Sequence, residues 1–174
     1  VTTPSNEVET RLLLTSAFNF DGPATVRYPR GSGPNKTFEE SLNEIPIGKA
    51  NLIRRGDKKS IMLNFGALLH EAEKVAENLN LTLIDMRFVK PLDEVILKDH
   101  LKQADLVVTL EDGCIAGGAG SAVQEFCSKQ SFYPRFLILG IPDSFIEHAS
   151  RDEMLEECGL TAPKIENKVL KMME

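Results

Sequence analysis

The sequence predicts a three-layer α/β/α domain on a mostly parallel sheet, preceded by a short piece of a different unit. Three observations carry this. From Ala50 to Ile141 strand-like and helix-like patterns alternate, the order of βαβ units. Leu106–Leu110 and Phe136–Ile141 are almost wholly apolar, the mark of strands covered on both faces. A chain of 174 residues, 42% hydrophobic and 26% charged, is large enough for a core that needs no staples.

Each element has a local reason. Ser5 or Asn6 is placed to cap a helix after Pro4, with Glu7 and Glu9 in the first turn, where carboxylates suit the helix dipole. Val8, Leu12, Leu13, Ala17 and Phe18 are its expected inner positions, and Asp21-Gly22-Pro23 ends it. Ala24–Tyr28 reads as a short strand. Pro29, Gly31, Gly33, Pro34 and a polar stretch to Glu44 have linker composition. A boundary near Ile45–Gly48 then divides residues 1–44 from a domain over 45–174.

Ala50–Arg54 and Ser60–Phe65 are strand-like, and Gly66 breaks the run. Leu68, Leu69, Ala72, Val75, Ala76 and Leu79 form a stripe with helical period. Leu81–Phe88 is a strand that Pro91 stops, and Leu92–Ala104 a helix with Val95, Ile96 and Leu101 inward. After Leu106–Leu110 comes Gly117-Gly118-Ala119-Gly120, then a helix from Ser121 to about Lys129, then the strand Phe136–Ile141. Ser150-Arg151-Asp152-Glu153 is a capping box, Gly159 closes its helix, and Thr161 with Pro163 opens the last one.

Composition narrows the function classes. Twenty Lys and Arg against 26 Asp and Glu leave a net charge of −6, which argues against a nucleic-acid partner. No apolar run approaches the roughly 18 residues of a membrane span. Three separated cysteines and three histidines make neither a disulfide framework nor a metal cluster, and fit a reducing, cytoplasmic setting. The chain starts at Val1 as if within a fold, and reads as a fragment of a longer protein.

Several groups invite a chemical reading. The glycine loop joins a strand to a helix, where free N–H groups and the helix dipole favour phosphate. Yet residues 113–120 match neither G-x-G-x-x-G nor the P-loop, so close approach of helix and strand, or of two subunits, is the expected role. Glu111 and Asp112 are expected to end a strand as adjacent carboxylates, suited to acid–base work or a metal, but neighbours on a strand point to opposite faces. Asp85, Arg87, Lys90 and Asp93 surround a strand-to-helix turn; they could hold an anion, or Asp85 and Arg87 could pair and pin the turn. His148 reads as a loop residue, His70 and His100 as incidental. Cys114 has no adjacent cation to lower its pKa. The strongest signal is Val26-Arg27-Tyr28-Pro29-Arg30-Gly31: two arginines three apart at a strand end, with a proline and a glycine aiming the second. A guanidinium fork there suits a phosphate or carboxylate.

On these residues the chain resembles the carboxyl-terminal part of the 1-deoxy-D-xylulose-5-phosphate synthase family, in the transketolase superfamily. The markers are Gly22-Pro23-Ala24-Thr25-Val26-Arg27-Tyr28-Pro29-Arg30-Gly31, Ile45-Pro46-Ile47-Gly48-Lys49, Asp85-Met86-Arg87-Phe88-Val89-Lys90-Pro91-Leu92-Asp93, Glu111 with Gly117-Gly118-Ala119-Gly120-Ser121, and Gly140-Ile141-Pro142-Asp143-Ser144-Phe145-Ile146. Part of the Asp85 block is shared with β subunits of 2-oxo-acid dehydrogenases.

The resemblance implies a transketolase-type transferase that condenses pyruvate with D-glyceraldehyde 3-phosphate. The products are 1-deoxy-D-xylulose 5-phosphate and carbon dioxide, for isoprenoid, thiamine and pyridoxal precursors. It implies thiamine diphosphate and Mg²⁺ in the full-length enzyme, a cytoplasmic homodimer, and no nucleic acid or membrane partner. Residues 1–44 would be the tail of the pyrimidine-binding domain plus linker, and 45–174 the transketolase-like carboxyl-terminal domain. Arg30 matches the arginine that contacts the aldehyde's phosphate, with Arg27 and Tyr28 in support. No catalytic, cofactor-binding or metal-binding residue is expected here, and the fragment alone is expected to be inactive. The alternatives are the carboxyl-terminal domain of a 2-oxo-acid dehydrogenase β subunit, a module binding a nucleotide or acyl carrier at the glycine loop, and a non-catalytic dimerisation domain.

Overall fold

A computed structural model describes residues 1–34 and 42–174. The middle of the expected linker, residues 35–41, lies outside the described residues. In chain order the elements are α1 (Glu7–Asn19), β1 (Asn51–Arg54), β2 (Asp57–Phe65), α2 (Leu69–Asn78), β3 (Leu81–Asp85), α3 (Glu94–Leu101), β4 (Leu106–Cys114), α4 (Ala119–Gln130), β5 (Arg135–Ile141), α5 (Arg151–Cys158) and α6 (Ala162–Met173).

The five strands form one sheet in the order β1-β3-β2-β4-β5. β2, β3, β4 and β5 run parallel, and only the edge strand β1 is antiparallel, against β3. On one face Leu69, Ala72, Val75 and Ala76 of α2 meet Ile165 and Val169 of α6 over Met62, Leu83 and Val108. On the other, Leu97 and Leu101 of α3 and Val123 and Phe126 of α4 cover Ile61, Leu63, Ile84 and Val107. Apolar residues on alternate positions of β2 and β4 thus feed two cores, which is the three-layer arrangement the apolar strands predict.

Four expectations need correction. Ala24–Tyr28 forms no strand among the described residues: Val26 makes only a single bridge, to Thr2. Thr2 N–H donates to Thr25 C=O and Arg27 N–H to Thr2 C=O, but flanking Pro23, Pro29 and Pro4 supply no further N–H to extend the ladder. β3 ends at Asp85, because Arg87 takes a left-handed φ of 58°. β4 continues through Glu111 to Cys114, so the paired carboxylates lie within a strand. In α3 the Asp93 cap fixes the start at Glu94, which turns Val95 out (61% exposed) and brings Leu97 fully inside.

α1 docks differently from its apolar pattern. Asn6 is its cap, accepting from Glu9 N–H. Leu13 packs with Ile45 and Phe88, and the hydroxyl of Ser16 bonds both the N–H and the C=O of Ile45. Leu14 and Phe18 remain exposed. The capping box of α5 forms as expected, with Ser150 and Glu153 bonded reciprocally.

Candidate functional site

In open α/β sheets ligands bind beyond the carboxyl ends of the strands, where neighbouring strands send their connections in opposite directions. Here that point falls between β2 and β4. β2 leads to β3 through α2 on one face, and β4 leads to β5 through α4 on the other.

The α4 side is filled by the chain itself. Gly118 caps α4 and has no side chain to satisfy the first amides. Glu111, 4% exposed within the last part of β4, does so instead: Ala119 N–H donates to Oε2 at 2.9 Å and Gly120 N–H to Oε1 at 3.0 Å. A carboxylate thus sits where a phosphate would sit in a nucleotide-binding relative of this fold. The glycines exist for closeness. A Cβ on Gly118 would lie 2.3 Å from Cys114 O and 2.4 Å from Glu111 Oε2; one on Gly120 would lie 2.6 Å from Thr109 Oγ1. The small residues therefore pack helix on strand, as expected, with the Glu111 carboxylate caught in between. Sequence reasoning missed Glu111 as the cap, because the capping residue lies eight positions before the amide it serves.

Asp112 points elsewhere, as its place on the strand requires. Its Oδ2 accepts from Arg151 Nη2 at 3.2 Å, which ties β4 to the first turn of α5. The two carboxylates share no site.

On the α2 side the cap, Leu68, offers no side-chain bond. A cleft of about 680 Å³ lies there between residues 4–10, residues 28–34, the start of α2 and α5. Tyr28 and Pro29 line it, with Leu68, Leu69, Leu155 and Leu160 as its apolar wall. A smaller pocket of about 130 Å³ adjoins it, lined by Thr3, Arg27, Tyr28, Pro29, Phe65, Gly66, Ala67 and Asp112. Arg30 is exposed, lines neither space, and has no side-chain partner among the described residues. Both arginines of the Arg-Tyr-Pro-Arg stretch are exposed, but Arg27 lies beside Gly113 of β4 and lines the smaller pocket, whereas Arg30 lines neither space.

A buried polar cluster links the amino-terminal residues to the sheet. Asp85, 1% exposed at the end of β3, accepts from Ser5 and from Asn64 Nδ2, the latter at 3.2 Å. Arg87 pairs with Glu9 of α1, not with Asp85. Burial pushes the Asp85 carboxyl up to about 6, the Glu9 charge adds to this, and the Ser5 and Asn64 bonds and Arg87 offset part of it. Because this pKa lies above the unfolded value of about 3.9, the folded state holds the proton more tightly. The contribution to stability is therefore full below about pH 4 and is lost as pH rises to about 6, by roughly 2–3 kcal/mol. Asp85→Asn keeps an acceptor for Asn64 and gives Ser5 a donor. The difference in urea-unfolding free energy between parent and variant should follow that pH window, with the variant gaining relative stability at pH 7. A difference flat from pH 4 to 7 would contradict the assignment.

The remaining candidates are structural. Asp93 accepts from Ile96 N–H as the α3 cap and from Ala50 N–H, with Lys49 at 3.8 Å. The Lys90 carbonyl accepts from the Val1 nitrogen at 2.8 Å, and the Lys90 side chain is exposed. His148 is exposed in the loop before α5, His70 is exposed beside Glu73, and His100 Nδ1 bonds Ile96 O. Exposed Cys114 lies 4.0 Å from Asp143. Among the described residues no group of three or more His, Cys, Asp and Glu side chains gathers as a metal site, and no helix is long and apolar enough to cross a membrane.

Fold and edge together define a doubly wound α/β domain whose glycine-loop anion position is taken by its own carboxylate. Residues 48–165 match the model of the transketolase, C-terminal domain family, and the chain belongs to that family. It is 49% identical over all 174 residues to a 1-deoxy-D-xylulose-5-phosphate synthase of Pseudomonas aeruginosa (strain LESB58). It is 50% identical over 173 residues (99% of the chain) to the synthase of that name from Stutzerimonas stutzeri (strain A1501). The chain spans 28% of the first relative's length and 27% of the second's. Among solved structures, a chain described as split gene transketolase, inactive beta4 tetramer, superposes with a TM-score of 0.86 at 28% identity. That likeness covers 98% of this chain and 56% of the other.

Proposed function

We propose that this chain is the carboxyl-terminal part of a 1-deoxy-D-xylulose-5-phosphate synthase, a thiamine-diphosphate-dependent transferase. The full enzyme would join pyruvate to D-glyceraldehyde 3-phosphate with loss of carbon dioxide. The observation that carries this is the 49% identity running through the whole chain to synthases of that name. It disfavours the 2-oxo-acid dehydrogenase reading. The glycine-loop module is disfavoured by Glu111, whose carboxylate already holds the α4 amides.

Within that enzyme residues 45–174 would be the transketolase-like domain, in keeping with the family match from residue 48. Residues 1–44 would complete the preceding domain, and homodimerisation in the cytoplasm follows from the same family reading. Arg30 would bind the aldehyde's phosphate. Its side chain is unpaired among the described residues, so its donors are available.

The residues described here do not fit the cofactor. A diphosphate with its metal needs oxygen ligands and free amides; among the described residues no group of three or more His, Cys, Asp and Glu side chains gathers, and the first α4 amides are taken by Glu111. The rest of the longer enzyme would hold thiamine diphosphate and Mg²⁺ and do the chemistry. Calorimetric titration of the 174-residue chain with both should accordingly give no saturable heat. A micromolar dissociation constant would overturn this division of labour. The proposal as a whole is tested by deleting these residues from the full-length protein and assaying carbon dioxide release from pyruvate with D-glyceraldehyde 3-phosphate. An unchanged rate would refute a required role for this part.

A further inference from the structure

The pocket of about 130 Å³ at the β2–β4 switch point is lined by Arg27, which the resemblance places only in support of Arg30, and by groups that the Arg30 assignment does not use. Its walls come from the turn after β2 (Phe65, Gly66, Ala67), from Asp112 on β4, and from Thr3 and Arg27 of the segment laid across the sheet edge. Thr3 is 6% exposed and its Oγ1 has no hydrogen-bond partner among the described residues. A buried hydroxyl left unpaired is costly, so a partner is expected. The Arg27 guanidinium has no carboxylate partner among the described residues. The one carboxylate in the wall, Asp112, is held by Arg151, while exposed Arg27 lies beside Gly113, as Glu111 Oε2 also does, so its guanidinium is solvated and makes no ion pair of its own among the described residues. The turn leads into α2, whose cap Leu68 makes no side-chain bond, whereas the neighbouring α4 is closed by Glu111.

We propose that this pocket binds a small free tetrahedral oxyanion of the inorganic phosphate type, held by the Arg27 fork and the Thr3 hydroxyl. The space is ample, since a single water needs only about 10–15 Å³. Gly66, with φ 102°, keeps the wall low where any Cβ would approach Thr3 Cβ at 3.6 Å. The inference is independent of the Arg30 assignment, because Arg30 does not line the pocket.

The test is titration of the 174-residue chain with inorganic phosphate at low ionic strength, followed by amide NMR, with chloride as control. Saturable shifts are expected at Thr3, Gly66 and Ala67 but not at Ala119 and Gly120. Arg27→Met should weaken binding at least tenfold, since a charge-assisted bond is worth about 1.5–3 kcal/mol. Thr3→Val should weaken it about 2- to 10-fold. Arg27→Lys, which keeps the charge without the fork, should fall between parent and Arg27→Met. If Arg27→Met does not fold, the Lys and Val variants carry the test. Three results would overturn the inference: no saturable shift, affinity unchanged in Thr3→Val and Arg27→Lys, or binding abolished by Arg30→Met alone. The last would place the anion at Arg30 and leave the synthase reading standing.

Discussion

Gly118→Ala is expected to destabilise the 174-residue chain by about 3–5 kcal/mol, a sum of overpacking and lost charge-assisted bonds. The backbone at Gly118 is ordinary, φ −78° and ψ −168°, so strain in φ and ψ is not the cause. The cause is contact: the new methyl would sit 2.3 Å from the Cys114 carbonyl oxygen and 2.4 Å from Glu111 Oε2. The carbonyl belongs to the end of β4, which pairs with β5 at Ile141 and cannot withdraw freely. The carboxylate can move only by releasing the amides of Ala119 and Gly120, which leaves buried donors unmet. Urea unfolding at neutral pH measures the effect. Glu111→Gln keeps the shape but turns one acceptor into a donor, so it should cost less, about 1–3 kcal/mol. The double variant Gly118→Ala with Glu111→Ala should fall well short of additivity, because both changes act on one contact. Gly118→Ala within about 0.5 kcal/mol of the parent, the range of neutral surface changes, would show that the loop is not packed as described.

The second large effect belongs to the full-length enzyme. Arg30→Ala should lower kcat/KM for D-glyceraldehyde 3-phosphate roughly 10- to 150-fold, the range of one lost charge-assisted contact. Pro29 fixes the approach to Arg30, and Gly31 follows with φ 151°, so the chain turns sharply around an outward guanidinium. A phosphate dianion accepts two parallel bonds from such a fork. Arg30→Lys restores charge but not the fork, and should give an intermediate loss. Pyruvate carries no phosphate, so its own kinetic constants should barely move. Steady-state kinetics with each substrate varied in turn decide the matter. Equal losses for both substrates, or none for the aldehyde, would remove Arg30 from the phosphate site.

Much of this fold is written locally. The α2 stripe, the apolar β4 and β5 segments, the α5 capping box and the Gly159 stop each rest on neighbours within a few residues, and each appears at the expected place. The family is legible for the same reason: its markers are short turns that the backbone needs wherever they occur. What the sequence could not decide was set by partners far along the chain. Val26 pairs with Thr2 but gains no ladder, because strand length depends on donors from another segment. Arg87 joins Glu9, 78 residues away, rather than Asp85 beside it, because its left-handed backbone turns it off the strand. Glu111 becomes the cap of α4 only once β4 runs alongside that helix's first turn. Arg27 and Arg30, three apart in sequence and both exposed, part company because only Arg27 lies against β4 and lines the small pocket. Local propensity and period act over a turn or two and so are readable in order. Pairing of charges and filling of helix ends depend on which segments tertiary packing brings together, and only the folded chain fixes that.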